Sequence, residues 1–174
     1  MTQNSQREKA FDQIGRAIEQ KFDIQIDSDG RWFHDGGEIR RKALIKLFAS
    51  VLKLDSAGVF WLETPVEKGR IEVEDAPFMA VKLKFRSVDV KFSEPNLAFS
   101  FVTNVGDIVP LDTEHPIKML DSPNGGGLCP YVEIRDGLLA KLSRPVYYEL
   151  ASHAIEGEDG RLGIRSHNKF FGLE

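Results

Sequence analysis

One cysteine, Cys129, stands in 174 residues, which excludes an internal disulfide and any zinc site built from several thiolates. Long apolar runs are missing as well. Nothing approaches the roughly twenty consecutive apolar residues of a membrane helix, and the stretch from Met1 to Gln20 is polar and charged where a secretory signal is apolar. A cytoplasmic protein without a membrane partner is the expectation. A basic excess is also lacking: residues 1–87 carry 15 Lys/Arg against 14 Asp/Glu and residues 88–174 carry 8 against 13, so the halves stand at +1 and −5. A nucleic-acid polymer selects for a basic patch or stripe and is therefore not the expected partner.

Chemical motifs are scarce too. Asp27-Ser28-Asp29-Gly30 lacks the third acidic position and the later glutamate of a calcium loop, and reads as a hairpin turn. Gly125-Gly126-Gly127-Leu128 has no Gly-Lys-Ser/Thr after it and reads as a flexible loop rather than a phosphate cradle. The four histidines, His34, His115, His153 and His167, show no metal-ligand spacing, so no metal is expected, and nothing identifies a cofactor. Neither a nucleophile nor an orienting partner stands out, so no catalytic residue is assigned and the balance favours a protein that is not an enzyme.

What is present is a chain with 41% hydrophobic residues, enough for a sizeable core, and two kinds of periodicity. Ala10, Phe11, Ile14, Ala17, Ile18 and Phe22 have helical spacing and predict a helix over 7–22. Asp23 to Asp27 alternates as a strand, Ser28 to Gly30 supplies a turn, and Arg31 to His34 returns. A helix is predicted over 39–52 with Leu44, Leu47, Phe48, Val51 and Leu52 on one stripe, followed by a turn at Asp55 to Gly58 and a strand at Val59 to Leu62. Four β-like runs follow between Phe78 and Leu111, then the loop-like stretch His115 to Gly127.

The end of the chain repeats the start in outline. Tyr131 to Arg135, a turn at Asp136-Gly137, Leu138 to Leu142, a helix over 144–155 and a turn at Gly160 follow the order of the first half. At an offset of 103 the stripe Leu44, Leu47, Phe48, Val51 and Leu52 falls on Tyr147, Leu150, Ala151, Ala154 and Ile155, and Arg41 falls on Arg144. Asp29-Gly30 matches Asp136-Gly137 at 107, and Gly58 matches Gly160 at 102. The predicted fold class is α+β, with two subdomains from a duplicated hairpin-helix-strand unit: a helix over 1–22, an α+β subdomain over 23–86, and a β-rich subdomain with one helix over 87–174.

Between the halves lies an acidic stretch with Glu67, Glu72, Glu74 and Asp75. Crowded carboxylates can raise a pKa for acid/base work, which gives one alternative reading, an enzyme using Glu67 to Asp75. An ordinary salt-bridged surface is the other account, since Lys68 and Arg70 lie within the stretch. In the predicted helix over 39–52, Arg40 and Arg41 fall on the buried side at its start, whereas Lys42, Lys46 and Lys53 fall on the opposite, solvated face. The two arginines can pair with Glu67, Glu72 or Asp75, or hold an anion at a helix start where Gly36-Gly37 permits close approach. Arg144 is their counterpart in the second half. Trp32, Phe33, Trp61, Tyr131 and Tyr147 read as core, whereas Tyr148 leaves the stripe and shares a face with Arg144 one turn away. Arg40, Arg41, Thr64, Glu67, Glu72, Asp75, Arg144 and Tyr148 make up the candidate ligand site.

Thr64-Pro65-Val66-Glu67, Val73-Glu74-Asp75-Ala76-Pro77-Phe78, Thr103-Asn104-Val105-Gly106-Asp107, His115-Pro116, Pro130-Tyr131-Val132 and Arg144-Pro145-Val146-Tyr147-Tyr148-Glu149-Leu150 together resemble the DUF1285 family, from about Asp23 to the last residue. The resemblance implies two α+β domains on a duplicated core, the second loosely pleckstrin-homology-like. It also implies a small nucleotide-type ligand at their interface and a signalling role, and it supplies no catalytic residues. The resulting expectation is a cytoplasmic binding or regulatory protein for a small anionic or nucleotide-type ligand. The alternatives are the carboxylate enzyme and a protein-protein interaction domain.

Overall fold

The computed structural model of the chain describes residues 19–89, 96–123 and 125–173. The first sheet opens with β1 (Glu19–Ile26), where Ile24 and Ile26 alternate into the core past a half-buried Gln25. Asp27 then fixes the turn: its Oδ1 accepts from the Asp29 and Arg31 backbone N–H groups at 3.0 and 2.9 Å. The chain returns as β2 (Trp32–His34), turns at Asp35-Gly36, and pairs again as β3 (Gly37–Glu38). After α1 (Lys42–Ser50) come β4 (Leu52–Leu54), β5 (Phe60–Glu63) and β6 (Lys68–Val73). The order across the sheet is β3-β2-β1-β6-β5-β4, all antiparallel except β1 against β6.

The helix predicted over 7–22 lies outside the described residues for its greater part, and where the two overlap the chain is strand: β1 already runs at Glu19 and pairs with β6. Phe22 shows why. Its ring lies against Gly69 of β6, where a Cβ would come within 2.1 Å, so a glycine-sized gap in the neighbouring strand receives it.

The second sheet contains the long β7 (Phe78–Asp89), β8 (Asn96–Thr103), β9 (Ile108–Pro110), β10 (Ile117–Asp121), β11 (Leu128–Arg135) and β12 (Leu138–Leu142). Their order is β10-β11-β12-β7-β8-β9, parallel only between β12 and β7. Because β7 belongs to this sheet along its whole length, the sheet begins at Phe78 and not at residue 87. A second helix, α2 (Arg144–Ala151), leads to a three-stranded sheet of β13 (Ile155–Glu156), β14 (Leu162–Ser166) and β15 (Lys169–Gly172). The Phe99 N–H donates to the buried Ser166 hydroxyl at 3.1 Å and ties that sheet to β8. With two helices and fifteen strands among the described residues, the fold is mostly β and built as two subdomains.

The same order of elements, three strands, a helix, three strands, occurs twice: β1 to β6 around α1, and β10 to β15 around α2. The offset is 102, not 103. At 102 the covered positions Leu44, Ile45, Phe48 and Ala49 fall on Val146, Tyr147, Leu150 and Ala151, while exposed Leu47 falls on exposed Glu149. The following turns agree at that offset, with Asp55 N–H to Val59 O and Gly58 N–H to Asp55 O repeated as Gly157 to Arg161 and Gly160 to Gly157. Leu47 and Leu150 are therefore not equivalent, at 59% and 0% exposed. Arg41 corresponds to the N-cap Ser143, not to Arg144. The partner of Asp136-Gly137 is Asp35-Gly36, since both pairs have two positive φ angles (49° and 73°, 47° and 77°), the geometry of a tight two-residue hairpin turn.

The buried side chains form one contiguous cluster that draws on both subdomains, from Ile24 and Trp32 to Phe101, Val132 and Leu150. The connection between the sheets is part of it, with Ala76, Pro77 and Phe78 all buried.

Candidate functional site

The seam between the sheets gathers the polar chemistry of the fold. Asp75 sits in the buried connection with its side chain 2% exposed. Its Oδ1 accepts from the Tyr131 hydroxyl at 2.7 Å and its Oδ2 from Lys141 Nζ at 2.5 Å. Tyr131 and Lys141 face each other across the β11–β12 hairpin, so two neighbouring side chains reach one carboxylate. Burial, reinforced by the Asp75 charge at its hydroxyl, pushes the Tyr131 phenol well above its ordinary pKa and keeps it protonated.

Two further contacts lock the seam. Asn104, in the turn between β8 and β9, donates from Nδ2 to the Gly30 carbonyl at 2.8 Å and accepts the Met79 N–H at 3.1 Å, so it clasps the first sheet's β1–β2 turn. Arg135, at the end of β11, donates to the Ala49 carbonyl at 2.6 Å, stands 3.7 Å from Asp107, and lies over the Phe78 ring at 5.4 Å. A cation at the last turn of α1 is where unsatisfied carbonyls and the helix dipole favour it.

Three cavities open along this seam. One of about 310 Å3 is lined by Lys46, Ala49 and Ser50 of α1 and by Val105, Asp107 and Arg135 of the second sheet. A neighbour of about 200 Å3 shares Lys46 and Val105 and adds Lys42, Ile45, Thr103, Asn104 and Gly106. A third, of about 170 Å3, is walled by the Asp75-Ala76-Pro77 connection, by Leu54 and Phe60, and by Tyr131 and Leu139. Larger grooves beside Asp23 and Arg31, and beside His153 and Arg165, each stay within one subdomain.

The structure disperses most of the predicted site. Arg40 and Arg41 precede α1, because Arg41 is an extended N-cap (φ −77°, ψ 100°), and both are exposed. Among the described residues, Arg40 reaches only Glu38, at 3.4 Å. The helical phase does not run back through them, so they do not point inward. Arg144 is exposed at the first turn of α2, and Tyr148 is 69% exposed with the Tyr147 ring beside its own. Thr64 and Glu67 build the β5–β6 turn, the Glu67 N–H donating to the Thr64 hydroxyl at 3.0 Å. Glu72 pairs with Lys21 at 2.7 Å on the surface, which holds its carboxyl below the usual range. Asp75 alone reaches a seam cavity. The acidic stretch therefore does not converge as a catalytic group: Glu72 pairs with Lys21, Glu74 binds Gln25 and the Ser28 N–H, and Asp75 holds Tyr131 and Lys141.

The cations of α1 that line the seam cavities are Lys42 and Lys46, which the sequence pattern assigns to the solvated face. They flank the covered face of α1 one turn apart once the helix starts at Lys42. Arg135 and Lys141 lie outside the predicted site. A two-residue turn at Asp136-Gly137 alone would set Lys141 opposite Val132; an irregularity between Glu133 and Arg135 shifts the register by one and brings Lys141 opposite Tyr131, so neither that pairing nor the reach of Asp75 to both was available from the turn signal.

Two family models divide the chain between them. Residues 15–76 match the DUF1285 N-terminal domain, described as a domain of unknown function, and residues 77–173 match the DUF1285 C-terminal domain, a protein of unknown function. The chain belongs to the DUF1285 family. The family match starts at residue 15, ahead of Asp23, and its internal boundary falls in the buried Ala76-Pro77 connection. A crystal structure of a DUF1285 family protein from Silicibacter pomeroyi DSS-3 is 37% identical, with 92% of this chain and 85% of that one covered and a TM-score of 0.79. A second, from Shewanella baltica OS155, is 27% identical over 75% of this chain and 91% of that one, with a TM-score of 0.56. No functionally curated protein matches the chain.

Proposed function

We propose that this DUF1285 protein is a binding or regulatory protein that holds a small anion at the seam, on Lys42, Lys46 and Arg135. The observation that supports the reading is the placement of Lys46. It edges two adjoining cavities, with Lys42 in one, Arg135 in the other, and Asp107 as the single carboxylate of both linings. Three cations against one anion leave a positive balance between two low-dielectric walls, where a phosphate or carboxylate is attracted most strongly. A cavity of about 310 Å3 is at the lower end of ligand-site sizes and suits a phosphate group carrying a small organic body. The nucleotide-type ligand, the signalling role, the cytoplasmic setting and the pleckstrin-homology-like character of the second subdomain, all implied by the resemblance, belong to the same proposal.

The test is thermal stability against inorganic phosphate and mononucleotides, since a ligand of the native state raises its stability. Saturable stabilisation is expected, weakened by about 1.5–3 kcal/mol of binding in Lys46→Gln through loss of a charge-assisted contact. Arg41→Ala is expected to bind as the parent does. Absence of any saturable rise, or equal loss in the two variants, overturns the reading.

A further inference from the structure

The third seam cavity, of about 170 Å3, has the opposite chemistry to the cationic pair. Its apolar wall comes from Leu54 and Phe60 on the β4–β5 hairpin of the first sheet and from Leu120 and Leu139 on the second. Its polar side chains are Asp75, Asp121 and Tyr131. Tyr131 has one hydroxyl hydrogen and gives it to Asp75 Oδ1 at 2.7 Å, so toward the cavity its oxygen can only accept. Asp75 is an acceptor whose charge Lys141 already balances, at 2.5 Å. The carboxylate of Asp121, exposed at the end of β10, has no hydrogen bond or ion pair among the described residues. The Gly137 N–H at the rim is directed to Glu133 Oε1 at 3.3 Å.

Among the described residues, the side chains of the wall thus present acceptors and no free donor, with one uncompensated negative charge, beside aliphatic and aromatic surface. We propose that this cavity binds a small aliphatic primary amine, its ammonium held by Asp121 and Asp75 and its hydrocarbon body lying against Phe60 and Leu139. An ammonium supplies three donors to a wall that has only acceptors, and an apolar body releases water from a wall that cannot hydrogen-bond it. Size limits the ligand: at about 30 Å3 per water the space equals roughly six waters, which admits a chain of about five or six heavy atoms. A carboxylate or phosphate is disfavoured here because it would meet like charge with no donor to accept from. None of these residues belongs to the Lys42, Lys46 and Arg135 site, so either proposal can fail alone.

The experiment is calorimetric titration of the whole chain with n-pentylamine, n-pentanol and pentanoate. Pentylamine is expected to bind saturably, pentanol at least about tenfold more weakly for want of the charge-assisted bonds, and pentanoate not at all. Asp121→Asn, at an exposed position, is expected to weaken pentylamine by about tenfold without moving the melting temperature of the free protein. Leu139→Phe is expected to abolish binding by filling the space, and if that variant does not fold the Asp121→Asn comparison decides. Equal binding of pentanol and pentylamine, an unchanged titration in Asp121→Asn, amine binding that survives Leu139→Phe, or no binding of pentylamine overturns the proposal.

Discussion

Asp75 satisfies two groups that the fold has taken largely out of water, the Tyr131 hydroxyl and the Lys141 ammonium. Removing the acceptor leaves both unpaired. Asp75→Ala is therefore expected to cost about 3 kcal/mol, the lower end of the range for deleting one partner of a buried ion pair, because Lys141 keeps 21% of its side chain in solvent. Urea unfolding of the variant against the parent measures it. Tyr131 makes a separate prediction for alkaline solution. Its folded-state pKa lies above the ordinary value of 10.0, so the folded protein keeps a proton that the unfolded chain releases. That contribution is fully present below about pH 10 and is lost as pH rises beyond it. Tyr131→Phe is expected to lose about 1 kcal/mol at neutral pH with the hydrogen bond, and to decline less steeply than the parent above about pH 10. Stability curves of the two proteins between about pH 7 and 11 test the difference in slope.

Elements rather than single residues decide how the sheets meet. The β1–β2 turn presents the Gly30 carbonyl to Asn104 and does so with a positive φ of 74°. A Cβ at Gly30 would also stand 2.8 Å from Asn104 Nδ2. Gly30→Ala is expected to destabilise by roughly 1–2 kcal/mol from the left-handed backbone alone, with a further loss as the Asn104 clasp is displaced. Asn104→Ala should cost about 1–3 kcal/mol by leaving the Met79 N–H and the Gly30 carbonyl without their partner. Thermal or urea unfolding reads both, and near-parental stability in both variants would show that this turn does not hold the seam. At this scale the sequence was partly legible. The apolar spacing of α1 marks a helix in the right place, but nothing local shows that Arg41 is extended, which moves the start to Lys42 and exchanges the roles of arginines and lysines. The stripe also shifts by one residue, because Leu44, Leu47 and Phe48 satisfy helical spacing as well as Leu44, Ile45 and Phe48 do. Packing selects the second, since Ile45 lies against the shared core while Leu47 is left exposed.

The two family domains share one buried cluster and a buried connection, so they are expected to unfold together. Calorimetry should give a single transition whose van't Hoff and calorimetric enthalpies agree. Two resolved transitions would mean that the seam contributes little to stability. The sequence by itself determined the strand-rich second half, the tight turn at Asp136-Gly137, the repetition of a strand-helix-strand order in outline and the family. These depend on neighbours within a few residues, where backbone sterics and side-chain periodicity act without reference to the rest of the chain. Only the tertiary structure decided that Asp75 meets Tyr131 and Lys141, that Asn104 meets Gly30, and that Lys46 and Arg135 share a cavity while Arg40, Arg41 and Arg144 face solvent. Those pairs are brought together by sheet order and helix phase. A one-residue change of phase turns a side chain by about 100° on a helix, enough to move it from the seam into water.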